Sequence, residues 1–150
     1  MSPLLLLAVA AVTLWAYRGS LGGPFIWDDV ANIPGNPRIR QLGWDALAGT
    51  SRPLTQLTFA LNHALGGLDV RGYHAVNLAV HVLAALALYA LARRTFASAA
   101  LRPRFGSAAP WLAAALAAIW AVHPLQTEAV TYVVQRAESL AGLLYLLVLH

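Results

Sequence analysis

Three stretches of this chain carry no Asp, Glu, Lys or Arg: Met1 to Tyr17, Gly72 to Ala92 and Phe105 to Gln126. Each is close to the roughly 17–25 residues that carry a helix across a bilayer. In lipid the backbone must satisfy its own N–H and C=O groups, and a helix does so within one segment. A fourth apolar run opens near Ser139 and reaches His150 through Leu140, Leu143, Leu144, Leu146, Leu147 and Leu149, so it reads as a helix cut short. The predicted fold is all-α and polytopic, an integral membrane protein with about four transmembrane helices at 3–17, 73–92, 106–122 and 139–150, the last truncated. A long external loop, 18–72, carries interfacial helices, and 93–105 is a short cytoplasmic loop. Of the 150 residues, 59% are hydrophobic and only 11% charged, whereas a soluble domain carries about a quarter charged residues.

Charge sets the orientation. The loop holding Arg93, Arg94, Arg102 and Arg104 contains no acid, and short basic loops stay cytoplasmic. Loop 18–72 and the turn around His123 to Glu138 then share the outer face. The opening segment can alternatively be read as a signal peptide, with Leu4 to Leu7 as its apolar core and Ala8, Val9 and Ala10 as small residues. Against that, no Arg or Lys precedes the core. Under either reading Asp28 and Asp29 lie outside. The net charge of +4 comes from Arg without Lys; with abundant Ala this suggests a GC-rich bacterial source, hence an inner membrane with loop 18–72 on the periplasmic side. No run of Arg interleaved with aromatic residues marks a nucleic-acid surface. Cysteine is absent, which excludes disulfides and thiolate chemistry.

Within the external loop, Pro34, Gly35 and Pro37 mark a turn, and Ile39 to Leu47 reads as a short helix. From Pro53 to Leu65 the residues Leu54, Leu57, Leu61 and Leu65 recur at three- and four-residue steps, leaving Thr55, Gln56, Asn62 and His63 off the stripe. That pattern predicts an amphipathic helix lying in the interface.

Two acidic clusters fall on the outer side. Asp28 and Asp29 follow Trp27. A positioned Asp can take the proton of an acceptor hydroxyl as general base, and Asp is equally a common turn or N-cap residue. The pair could also hold a divalent cation, with no third ligand near in sequence. The second cluster is His123, Pro124, Glu128, Arg136 and Glu138; His123 and Glu128 have ordinary readings as an interfacial histidine and a capping acid. Arg52, Arg71 and Arg136 could each meet phosphate oxygens in bidentate fashion or anchor to lipid headgroups. Arg136 stands out among Val133, Val134, Leu140 and Leu143, because an ionisable residue at the edge of a span is costly. His74, Asn77 and His81 share one face of the second span, and hydrogen bonding between helices fits their spacing better than a zinc site.

Taken together, these pieces resemble the membrane part of the transmembrane and tetratricopeptide-repeat O-mannosyltransferases, within the GT-C glycosyltransferases. The resemblance covers nearly all of the chain. It rests on Phe25, Ile26, Trp27, Asp28 and Asp29 with Ile33, Asn36 and Pro37, then on Arg52, Pro53, Leu54, Leu57, Phe59, Leu61 and Asn62. It continues through Gly72, Tyr73, His74, Asn77 and His81 to His123, Pro124, Thr127, Glu128, Ala129, Val130, Arg136, Ala137 and Glu138.

The resemblance implies that residues 1–150 are the N-terminal part of a longer membrane enzyme. Such an enzyme moves a sugar, with mannose the default, from a polyprenyl-phosphate carrier to an acceptor hydroxyl such as that of a protein Ser or Thr. Asp28 would be the base and Asp29 its support. Arg52 and Arg136 would meet the carrier phosphate, while His74, His123, Glu128 and Glu138 would shape the donor pocket. The family has many more spans, so this piece is expected to be inactive alone. Two other functions fit a chain of this kind: a non-catalytic membrane-embedded assembly module, and a transporter fragment with His81 as a lining residue. Against the transporter, the polar residues cluster outside rather than at mid-span.

Overall fold

A single long helix organises the molecule. The computed structural model describes residues 3–43, 47 and 49–150, and its elements are helical, with no strand among the described residues. In chain order they are α1 (Pro3–Tyr17), α2 (Asp28–Asn32), α3 (Pro53–Gly66), α4 (Val70–Phe96), α5 (Arg102–Phe105), α6 (Ala109–Ala121), α7 (Thr127–Thr131) and α8 (Arg136–Leu149), joined by short 3-10 turns. α4, of 27 residues, packs against α1, α6, α7 and α8. Asp69 starts it by accepting the backbone N–H of Arg71, as an N-cap should, and Arg93 and Arg94 occupy its last turn, where cations suit the helix dipole.

Among the described residues two helices are long and apolar enough to cross a membrane, Pro3–Gly22 and Val70–Phe96. The pair Pro124–Thr131 and Val133–Leu149 makes a third if its two arms, bent by 99°, are counted as one span. α6, with 13 apolar residues, is shorter than the expected span at 106–122, and the apolar stretch that follows it opens into the 3-10 turn Pro124–Gln126. α8 begins at Arg136, three residues earlier than the expected span.

The core between α1, α4 and α6 depends on small side chains. Ala113, Ala117 and Ala121 recur every four residues on α6 and meet Ala85, Tyr89 and Ala92 of α4, with Leu5 and Val9 of α1 beside them. Lipid tails are as apolar as leucine, so such helices gain by close packing, which alanine permits. Toward the N-terminal end of α4 a second core gathers Ile33, Ile39, Phe59, Tyr73 and Val133 under the long loop. The expected helix at Ile39 to Leu47 is represented by the turn Pro37–Arg40; residues 44–46 and 48 lie outside the described residues.

α3 forms where the leucine periodicity predicts it, with Pro53 at its first position, where proline's missing N–H costs nothing. Its leucine stripe faces away from the protein: Leu54, Leu61 and Leu65 are exposed, whereas Thr55, Phe59, Ala60 and Asn62 are buried. A helix whose polar side faces inward and whose leucines face outward suits an apolar surround.

Candidate functional site

The acidic pair sits on a strained turn. Asp29 N–H donates to the Ile26 carbonyl at 2.9 Å, closing a tight turn in which Trp27 has φ 45°. A positive φ is costly for a residue with a bulky side chain. The indole of Trp27 is 80% exposed and meets Tyr132 edge to face, with ring centres 6.0 Å apart. Beyond this turn the two carboxylates separate. Asp29 is fully buried and its oxygens accept the backbone N–H groups of Val134 at 2.7 Å and Ile26 at 3.3 Å. Asp28 is exposed; its backbone N–H donates to the Tyr132 hydroxyl at 3.1 Å, and its carbonyl accepts from Asn32 at 2.8 Å. One acid therefore ties the loop to the turn before α8, and the other presents its carboxylate outward. The two do not converge as a shared cation site, and among the described residues no three His, Asp or Glu side chains form a metal-binding group.

Asn32, one turn beyond Asp28, lines a cleft of about 240 Å³ together with Thr50, Ser51, Arg52, Gln56 and Val134. Hydroxyl, amide and guanidinium groups dominate this wall. Arg52 is exposed and faces Glu138 at 3.6 Å, so the structure brings together two residues expected to contact the donor.

Arg136 has a different setting from the expected phosphate contact. It is fully buried. Its Nε donates to Asn77 Oδ1 at 2.6 Å, Nη1 to Thr58 Oγ1 at 3.1 Å and to Asn62 Oδ1 at 2.7 Å, and Nη2 to the Tyr73 carbonyl at 2.8 Å. The guanidinium also lies over the Phe59 ring, 4.6 Å from its centre. Every partner is neutral. A buried cation is tolerable only when its donors are matched, and here α3 and α4 supply the match. Arg136 thus fastens α8 to both helices, and its nitrogens are turned inward, away from the cleft.

The remaining expected residues fall elsewhere. His74 is buried, donating from Nε2 to the Gly23 carbonyl at 3.0 Å, which moors the segment after α1 to α4. His81 donates from Nε2 to the Ala121 carbonyl at 2.8 Å, closing the end of α6, and stacks near Trp120. Asn77 faces the carbonyls of Val130, Tyr132 and Val133. His81, and Asn77 through Arg136, make the hydrogen bonds between helices that their shared face suggested, whereas His74 bonds the loop after α1. His123 is exposed and caps the next turn by accepting the Leu125 N–H at 3.2 Å; it borders an apolar groove of about 660 Å³ with Trp120 and Leu125. Glu128 is exposed in the first turn of α7.

Sequence reasoning missed Thr58, the ring of Phe59 and Asn62 as the receptor of Arg136, and Tyr132 as the partner of both Trp27 and Asp28. The recurrence of 55, 58, 59 and 62 on one side of α3 was the available signal, masked by the more conspicuous leucines opposite.

The relatives of this chain are glycosyltransferases by name. This chain is 35% identical, over 93% of its length, to human protein O-mannosyl-transferase TMTC1. It is 31% identical over 97% to protein O-mannosyl-transferase F38B6.6 of Caenorhabditis elegans, and 36% identical over 92% to protein O-mannosyl-transferase tmtc2 of Xenopus laevis. The homologues of this chain are thus protein O-mannosyl-transferases of the TMTC group, as the sequence resemblance implied. The chain spans 17%, 22% and 17% of the lengths of these three relatives. All are animal proteins and lend no support to the expected bacterial inner membrane. No family model matches the chain, and no solved structure does.

Proposed function

We propose that this chain forms the donor-side membrane portion of a glycosyltransferase that passes a sugar, with mannose the default, from a polyprenyl-phosphate carrier to an acceptor hydroxyl such as a protein Ser or Thr. The observation that carries the reading is the division of labour between the two acids: buried Asp29 fixes the loop, and exposed Asp28 is presented one turn from a polar cleft holding Arg52. In the reaction, Asp28 removes the acceptor proton as its oxygen attacks the anomeric carbon. The bond from that carbon to the phosphate oxygen breaks, and the carrier phosphate leaves with the electron pair. General-base assistance is worth about 10²–10⁴-fold, and a cation at the leaving phosphate lowers the barrier further. Arg52, solvent-accessible beside the cleft, is the cation placed for that role.

The same reading orients the protein. Asp28, Arg52 and Glu138 gather beside the N-terminal half of α4, where Asn77 meets the Tyr132 and Val133 carbonyls and Glu138 shares a cavity with His81, and Arg93 and Arg94 lie in its last turn, about 24 Å beyond Asn77 at 1.5 Å per residue. The basic end is cytoplasmic and loop 18–72 is on the opposite side.

The test is a chimera in which this chain replaces the matching segment of the human relative, assayed for mannosyl transfer from a polyprenyl-phosphate donor to a Ser/Thr peptide. Asp28→Asn should abolish transfer while donor binding survives. Unchanged turnover would remove Asp28 from the chemistry.

A further inference from the structure

Arg52 stands on the border of two clefts of opposite character. On one side is the polar cleft with Asn32, Thr50, Ser51 and Gln56. On the other is a groove of about 300 Å³ whose wall is largely apolar, including Pro53, Leu54, Leu140 and Leu144. Arg52 and Thr55 line both, and Glu138 lines the apolar one. A polar chamber, a cation and an apolar groove in that order match an amphipathic phosphoester: sugar, phosphate, hydrocarbon. The apolar groove that borders Arg52 is about 300 Å³, which fits the end of one tail better than the two of a phospholipid.

The cation already has a partner. Glu138 Oε1 faces Arg52 Nη2 at 3.6 Å, with both side chains more than half exposed. An exposed ion pair at that separation is weak, whereas a phosphate offers guanidinium two anionic oxygens for bidentate contact. Resting on the donor reading above, we propose that Glu138 is a built-in competitor for the phosphate of a prenyl phosphate. The Arg52–Glu138 pair latches the junction of the two clefts when no donor is present, and phosphate displaces the carboxylate when the donor enters. Release of the product carrier is then assisted by the returning Glu138. This makes Glu138 a positioning residue acting through Arg52, with no contact to the reacting atoms.

The experiment measures binding of geranylgeranyl phosphate to the 150-residue chain in detergent, with inorganic phosphate and phosphatidic acid as comparison ligands. Glu138→Gln is expected to tighten prenyl phosphate binding about two- to fivefold, the range an exposed ion pair supports. Arg52→Gln weakens binding, and Glu138→Gln added to Arg52→Gln changes nothing more, since the competitor has lost its target. If Glu138→Gln still tightens binding without Arg52, the effect is general electrostatics and the latch is wrong. If Arg52→Gln weakens binding but Glu138→Gln has no effect, the latch fails and the donor reading stands. If Arg52→Gln has no effect, the phosphate placement under the donor reading fails as well. Equal affinity for inorganic phosphate or phosphatidic acid would overturn the single-tailed assignment.

Discussion

Asn77 and Arg136 stand 59 residues apart in the chain and meet at 2.6 Å, the Arg136 Nε–H donating to Asn77 Oδ1. The amide of the same Asn77 lies 3.3 to 3.4 Å from the carbonyls of Val130, Tyr132 and Val133. One side chain thus serves both the cation and the break in the helix that precedes it.

Truncating Arg136 leaves Asn77 Oδ1, Asn62 Oδ1 and the Tyr73 carbonyl without their donor in a buried place. Arg136→Ala should cost at least about 1–3 kcal/mol, the range for leaving a buried hydrogen-bonding group unsatisfied. Arg136→Lys should also destabilise, because a point-like ammonium cannot reach partners spread across the guanidinium fork. Melting in detergent, followed by the monodisperse fraction on size exclusion, reads both. A wild-type melting temperature for Arg136→Lys would contradict the network described here.

The two acids should separate in their behaviour. Asp29→Asn places an amide N–H₂ against one of two backbone N–H donors and should lose about 1–3 kcal/mol of stability. Asp28→Asn should melt within about 0.5 kcal/mol of wild type, as an exposed substitution does, with its effect confined to transfer. A melt of each variant alongside the chimera assay checks the pair. Equal stability losses would mean that both carboxylates are structural.

Trp27 carries a backbone conformation that glycine adopts freely. Trp27→Gly should relieve strain of about 1 kcal/mol or more, offsetting loss of the ring contact with Tyr132. Trp27→Ala loses that contact and keeps the strain, so it should be the less stable variant. Finding alanine the more stable of the two would show that the turn is not strained.

The alanine stripe of α6 should resist enlargement. Ala117 is fully buried against α4, so Ala117→Leu should cost about 1–3 kcal/mol by overpacking. Ala118, one position further round, lies off that buried stripe, and leucine there should be tolerated. Paired melts of the two variants decide it.

The legibility of this chain follows from which signals are local. Uncharged length announced α1 and α4, and leucine spacing announced α3, because both are written in consecutive residues. Asn77 and the two histidines beside it were legible as one polar face, but not their partners, which are backbone carbonyls that carry no sequence signature. Arg136 was legible as unusual; whether its nitrogens point at a ligand or into the protein depends on α3, more than 70 residues away, turning its threonine and asparagine side inward. The difference between Asp28 and Asp29 was invisible for a similar reason. It comes from the strained turn at Trp27, a property of backbone angles rather than of residue type.

The 99° bend between the two arms, 124–131 and 133–149, leaves carbonyls without the N–H groups a continuous helix would give them. In water such groups are hydrated. Beside a bilayer the chain must carry its own solvation, and the Asn77 amide supplies it as a fixed substitute for mobile water. The bent segment is therefore affordable only once α4 is alongside it, which orders assembly: α4 inserts first, and the later segment turns against it afterwards. A loss at position 77 would accordingly register as failed insertion of a region more than fifty residues downstream.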